Sequence, residues 1–569
     1  MIKKKYPKSK VTKISYPSCD PSQAEALNGD ETLLNYQDLR RQKSGDRYRP
    51  SYHFVNPENT MNDPNGLCYW QGQWHLFYQC RPIEDERLHW GHAYSDDLIH
   101  WKDLPIAIFP GPENDCYSGT IMVEKDRAIA MYHGTKVGNM IAVSDDCRLL
   151  NWSKLGDGAV IPFSEDHRDK PFGIFDPFIW SDDGIYYSIS AGITPSIAEG
   201  VHKAANFLFR SEDLVNWEFV HDFVEGDSFT IEGDDGACPY FLPFGQKHIL
   251  IFFSHMTGSQ YLIGDLDKER MKFHPTSHGK FNFGATFPGG IHAPSAFPLD
   301  DGDIAVIFNM NTGLPQFSLD NFLQNYYGDE RSNQIARDWN KQSKNLAWDQ
   351  IMTLPRRLSL LPDGSISQSV ISGIEICRGE ECKYENIVLA PNKFVEFDGV
   401  CGNAVELSLR LELANSQSFT IRVLSSVDDR EFTDINIYRN RGKVFRTPDK
   451  DNIFSHRVMS TGISQLVRRN SVIAVDCTYS SVDPNFVSRP PEMTEYEMGE
   501  DGITTIRIFL DRSVVEAFAD ERTALSVRAF PTLDSSTHIK FLSRGSESRI
   551  IEMRCWQMRS IYETKLAKL

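Results

Sequence analysis

At 569 residues the chain is longer than one hydrophobic core usually spans, so two domains are expected. Its 78 acidic residues against 60 basic ones leave a formal net charge of −18, which argues against a nucleic-acid partner and suits a neutral ligand such as a sugar. With 24 % charged and 40 % apolar residues it has the make-up of a folded soluble protein, and no apolar run is long enough to predict a membrane span.

Residues 1–50 are polar and lysine-rich. They read as an N-terminal extension that packs on the outside of the fold or stays partly disordered, with a helix-like stretch around Pro21–Arg41. The opening Met1-Ile2-Lys3-Lys4-Lys5-Tyr6-Pro7-Lys8 carries charge with no apolar segment behind it. A secretory signal is therefore not expected, and the expected compartment is the cytoplasm; a mature secreted form is the alternative. The eleven cysteines are dispersed and form no CxxC pair, which suits free thiols in a reducing compartment better than a disulfide framework.

From Tyr52 onward, short aromatic and β-branched runs alternate with Gly, Pro, Asn and Asp turns, an all-β pattern. Met61-Asn62-Asp63-Pro64-Asn65-Gly66 sets a carboxylate between turn residues just before the strand-like Leu67-Cys68-Tyr69-Trp70. An Asp fixed there by Pro and Gly is a poor packing choice and a good one for a nucleophile. Further strands are expected at Trp74–Tyr78, Ile185–Ile189 and His248–Phe253. Ser95-Asp96-Asp97-Leu98-Ile99-His100-Trp101 recurs as Ser211-Glu212-Asp213-Leu214-Val215-Asn216-Trp217, with a looser copy from Ser144 to Trp152. The spacing is near that of a four-stranded propeller blade, and each copy is expected to turn between the outer strands, its Trp wedged against a neighbour. A polar, helix-compatible segment follows at Leu319–Lys344. From about Phe394 to Trp556 the strands alternate more regularly, as a β-sandwich would.

Further strings come in a recognisable order: Leu76-Phe77-Tyr78-Gln79, His89-Trp90-Gly91-His92-Ala93, Tyr117-Ser118-Gly119-Thr120, Leu354-Pro355-Arg356-Arg357-Leu358-Ser359 and Ile508–Phe518. With the Asp63 motif they resemble glycoside hydrolase family 32, the invertases, inulinases and levanases, over roughly residues 52–550. The resemblance implies an all-β protein: a five-bladed β-propeller at 51–360 followed by a C-terminal β-sandwich at 375–560. It also implies release of terminal β-D-fructofuranosyl units from sucrose or fructans by a retaining double displacement. Asp63 would be the nucleophile and Asp176 the transition-state stabiliser. Asn62, Gln79, Trp90 and Ser118 would bind substrate, with a buried core role the competing reading for Trp90. His92 reads as a core histidine, while Asp115 and His292 are secondary candidates for the pocket.

Two positions depart from the family. Phe175 stands where an Arg normally precedes Asp176, removing a bidentate donor. Ala237, in Ala237-Cys238-Pro239, stands where the acid/base Glu is expected, and an alanine transfers no proton. The acid has moved into Glu232-Gly233-Asp234-Asp235-Gly236, or the chain binds fructans without cleaving them, or the Glu was deliberately replaced. The first reading is preferred, with Glu232 or Asp235 as acid/base, because three carboxylates and two glycines cluster there. In an extended strand Asp235 and Ala237 point to the same side. Fructosyl transfer is an alternative outcome. No cofactor and no metal are expected, and the partners are a small-molecule or oligosaccharide fructoside, no nucleic acid and no membrane. A homodimer stays open because the family's sandwich domain can contribute to a neighbour's pocket.

Overall fold

The computed structural model describes residues 5–163, 173–193, 204–231, 234–284, 289–311, 348–442, 470–483, 489–499 and 501–562. Among them, five antiparallel sheets follow one another between Met61 and Val370. Blade 1 is Met61–Trp70, Gln73–Cys80, His89–Ser95 and Lys102–Ile108; blade 2 runs from Cys116–Val123 to Ser153–Lys154. Blade 3 is Gly173–Asp182, Ile185–Ile193, Ala204–Ser211 and Glu218–Asp222, and blade 4 is Ala237–Phe244, Lys247–Ser254, Gly258–Asp267 and Lys272–Lys280. Blade 5 opens with Ile291–Pro298 and ends at Ile366–Val370. The first strand of each blade touches the first strand of the next, and blade 5 returns to blade 1, so the sheets close into a five-bladed propeller.

Strands pressed between blades are buried on both faces, which is why Ile249–Phe253 reads as an unbroken apolar run. The repeated motif lies between the third and fourth strands of the first three blades. In each copy an Asp carboxylate caps the turn: Asp97 accepts from Ile99 and His100 N–H, Asp213 from Val215 and Asn216 N–H, Asp146 from Leu150 and Asn151 N–H. Leu98, Leu149 and Leu214 share a left-handed φ of 66°, 53° and 67°. Trp152 and Trp217 close their turns through Nε1–H to the carbonyls of Leu149 and Leu214.

The helix-like stretch is two helices, Ser22–Asn28 and Glu31–Lys43, because Asp30 caps the second by accepting from Leu33 N–H. Leu27, Leu33 and Tyr36 bury against Tyr94, Leu104 and Leu150, so this extension packs on blades 1 and 2. No helix among the described residues is long and apolar enough to cross a membrane. The segment Leu319–Lys344 lies outside the described residues.

A second core lies between a six-stranded sheet, running from Arg378–Leu389 at one edge to Thr523–Arg528 at the other, and a five-stranded sheet. Here some strands bury one face, as in the alternating Thr433–Tyr438, while Val514–Ala519 and Thr523–Arg528 are buried throughout. The two parts are joined by Asp511, fully buried. Its carboxylate accepts from Ser51 N–H and Oγ–H, from Tyr52 N–H, and from N–H and Nδ1 of His53, at 2.7–3.0 Å. Asp511→Ala leaves these buried donors unmatched and is expected to destabilise the protein by about 3 kcal/mol. The midpoint of urea unfolding measures it, and an unchanged midpoint would refute the clamp.

Candidate active site

One irregularity recurs at the same level of every blade. The inner strand carries one residue more than its partner: between Met61 and Pro64, Cys116 and Gly119, Phe175 and Pro177, Ala237 and Tyr240, and Ile291 and Pro294. A bulge breaks the pairing and re-aims side chains. The bulged residues include Asp63, Ser118, Asp176, Cys238 and His292.

The Asp63 motif is also a hub between blades. Asn65, fully buried, accepts from Gly119 N–H of blade 2 at 3.2 Å. Gly66 N–H donates to Tyr240 Oη of blade 4 (3.2 Å) and Leu67 N–H to Ser295 Oγ of blade 5 (2.9 Å). Gly119 must be glycine, since a Cβ there would lie 2.2 Å from the carbonyl oxygen of Met131. Asp63 Oδ2 accepts from Ser118 Oγ–H at 2.5 Å and from Gln79 Nε2–H at 3.2 Å, and Gln79 also donates to Ser118 Oγ at 2.8 Å. Burial pushes the Asp63 carboxyl above its ordinary value, while the Ser118 hydrogen bond and the charge of His255 oppose the rise.

Asp176 is buried, and its Oδ2 accepts from Cys238 N–H at 3.1 Å. The Cys238 thiol sits 3.4 Å from Asp176 Oδ2 and 3.8 Å from Asp63 Oδ2, between the two carboxylates. Cys238 has φ +50°, a conformation costing about 1–2 kcal/mol for a residue with a side chain, and the bulge holds it there. Burial, then the charge of Asp63, pushes the Asp176 carboxyl up to about 6. The two departures from the family pattern meet nearby: Phe175 packs against the small apolar cluster of Ala237, Cys238, Phe253 and Ala293. The place expected for a glutamate is thus closed by apolar groups, with Ala237 only 1 % exposed.

Glu232 lies outside the described residues. Asp235 accepts from His255 on both oxygens, from N–H at 3.0 Å and with Nδ1 at 2.5 Å. Asp235 and Ala237 do not share a strand face as expected, because Gly236 has φ +61° and the strand begins only at Ala237. Cross-hairpin pairing brings Asp235 to His255 instead: Ala237 pairs with Phe253, two residues before His255. His255 was missed by sequence reasoning. Counting the hairpin register outward from Ala237 would have found it.

Trp90 is corrected. It is fully buried, packs against Phe77 and Tyr132, and donates Nε1–H to Tyr117 O, so it supports the Ser118 strand rather than walling the pocket. Asn62 is half-buried and accepts from Asn309 Nδ2 at 3.4 Å. His92 stacks on Phe77 in the core. Asp115 is held by Leu88 N–H, Asn114 and Thr135. His292 packs on Phe253 and pairs with Asn311, and burial lowers its pKa to about 3.

Comparison with known proteins bears on this geometry. Residues 53–369 match the glycosyl hydrolases family 32 N-terminal domain, and residues 374–557 match the family's C-terminal domain. Levanase of Bacillus subtilis is 25 % identical over 434 residues, 70 % of this chain and 58 % of that protein. The chain likewise spans 54 % of the Bacillus subtilis sucrose-6-phosphate hydrolase it matches, at 28 % identity over 43 % of this chain. Fructan 6-exohydrolase of Beta vulgaris is 23 % identical, over 90 % of this chain and 87 % of that one. The crystal structure of fructan 1-exohydrolase IIa from Cichorium intybus superimposes with a TM-score of 0.72 at 20 % identity, over 90 % of this chain and 98 % of that one.

Proposed function

Because the chain belongs to glycosyl hydrolase family 32, we propose that it releases terminal β-D-fructofuranosyl units from sucrose or fructans with retention at the anomeric carbon. The observation that carries this reading is the pair Asp63 and Asp176, raised on two bulges and bridged by Cys238. Ser118 and Gln79 converge on one oxygen of Asp63, so the other is left to attack C2 of the fructosyl unit. Asp176 accepts hydrogen bonds from the sugar hydroxyls, which strengthen as charge develops on the ring. The leaving oxygen is protonated from the Asp235 edge of the pocket, and the same edge later activates water.

Ala237 favours a second reading, a protein that binds fructosides without cleaving them. One experiment separates the two. Incubation with sucrose, inulin and levan is expected to release free fructose, with the β-anomer appearing first by NMR. Saturable binding of the same sugars with no fructose released would establish the binding protein.

A further inference from the structure

We propose that His255, held by Asp235, is the acid/base of this site and replaces the glutamate absent at position 237. The proposal rests on the fructosidase reading and names the group that moves the proton. Among the described residues, the two acids of this loop, Asp234 and Asp235, are held inside the hairpin. Asp234 is 2 % exposed and accepts from Thr257 Oγ–H, Gln260 Nε2–H and Ile231 N–H. Asp235 presents both oxygens to His255, one to its N–H and one to Nδ1. Among the described residues here, the group that remains open is the imidazole, whose side chain is 66 % exposed. Its Nε2 makes no hydrogen bond among the described residues.

The placement follows from register. Phe253 faces Ala237 across the hairpin, and its ring lies against both His255 and His292. One step along from Ala237, the Cys238 thiol touches both carboxylates. The His255 ring touches Asp235 and Phe253, and the charges that act on it come from Asp235 of its own blade, Asp63 of blade 1 and Asp176 of blade 3, while its own charge acts on His292 of blade 5. The hydrogen bond to Asp235 comes first in raising the His255 pKa, joined by the charges of Asp235, Asp176 and Asp63 against the effect of burial. A histidine with its Nδ1–H fixed on a carboxylate has a defined tautomer and a proton to give at Nε2.

In the first step the C2–O bond to the leaving group breaks as a bond forms from Asp63 to C2. The Nε2 proton of His255 passes to the leaving oxygen. In the second step neutral Nε2 takes a proton from water as the water oxygen bonds to C2 and the Asp63–C2 bond breaks. The imidazolium is thereby restored, and Asp235 serves as its positioning residue.

The test uses the full chain, with the fructan or sucrose it cleaves and with β-fructofuranosyl fluoride, whose leaving fluoride needs no proton. His255→Ala is expected to lower kcat/KM on the natural donor by about 10²–10⁴-fold, and on the fluoride by less than about tenfold. Added azide, already anionic, should speed turnover of this variant and yield β-fructosyl azide. Asp235→Asn should move the alkaline limb of kcat/KM to lower pH, because it removes the cause that raises the His255 pKa. His255→Ala within about threefold of the unmodified chain on the natural donor would overturn the proposal, as would equal losses on both donors without an azide response. If the unmodified chain acts on neither donor, the fructosidase reading has failed and the proposal falls with it.

Discussion

Asp63→Ala is expected to lower fructose release by about 10⁴–10⁶-fold, the loss seen when a covalent nucleophile is removed while the rest of a site remains. The fold should survive, because Asn65, Gly66 and Leu67 keep their bonds to blades 2, 4 and 5 when the Asp63 side chain and its Ser118 hydrogen bond are removed. Two measurements make the result specific. Rapid acid quench of the unmodified chain should trap a species heavier by one fructosyl unit, and the variant should trap none. Sugar binding by the variant should persist, since Gln79, Ser118 and Asp176 are untouched. Turnover within about tenfold of the unmodified chain would remove Asp63 from the chemistry.

Asp176→Asn is expected to act in two directions. Fructose release should fall by about 10³–10⁴-fold, because the neutral amide stabilises the developing positive charge less well than a carboxylate. Stability should rise at neutral pH. The folded-state pKa is raised from 3.8 to about 6, so the folded protein holds this proton more tightly than the unfolded chain does. That stabilisation is fully present below about pH 4 and is lost as pH rises through about 6. At pH 7.5 the ionised Asp176 is then a burden of about 2–3 kcal/mol, which the amide removes while keeping an oxygen for Cys238 N–H. Thermal melts at pH 7.5 should show the variant more stable, and melts at pH 4 should show little difference. A variant less stable at both would mean that the carboxylate is structural.

How far the sequence reached is clearest at particular residues. The Asp63 motif was legible because Pro64, Asn65 and Gly66 have no packing reason to follow an Asp before a strand, and in the fold Asn65, Gly66 and Leu67 clip four blades together. The blade turns were legible because a capping Asp, a left-handed Leu and a closing Trp recur as a string. Blade 4 makes a similar turn at Asp267 with a left-handed Met271 and no Trp, so it escaped the repeat. Trp90 was ambiguous for a physical reason: a blade is packed on both faces, so alternation does not tell pocket from core. The acidic loop was located, yet its geometry was not. A single φ of +61° at Gly236 undid the strand alternation, and the partner of Asp235 lies twenty residues away, across a hairpin whose register is set by a bulge.

The five bulges carry a consequence for how such a protein changes over time. Each inserts its extra residue near the start of the inner strand, and the pairing runs regularly beyond it, after a second shift between Asn65 and Cys68 in blade 1. The chemistry of the site is thereby written in five short windows, one per blade, that can be edited separately. An exchange in one window changes what faces the sugar without disturbing the walls. Ala237 and Phe175 look like such edits, made in adjoining blades and packed into one cluster. The loss of a catalytic side chain in this architecture is therefore a local event, and a hairpin neighbour within reach of the same axis can take over its work.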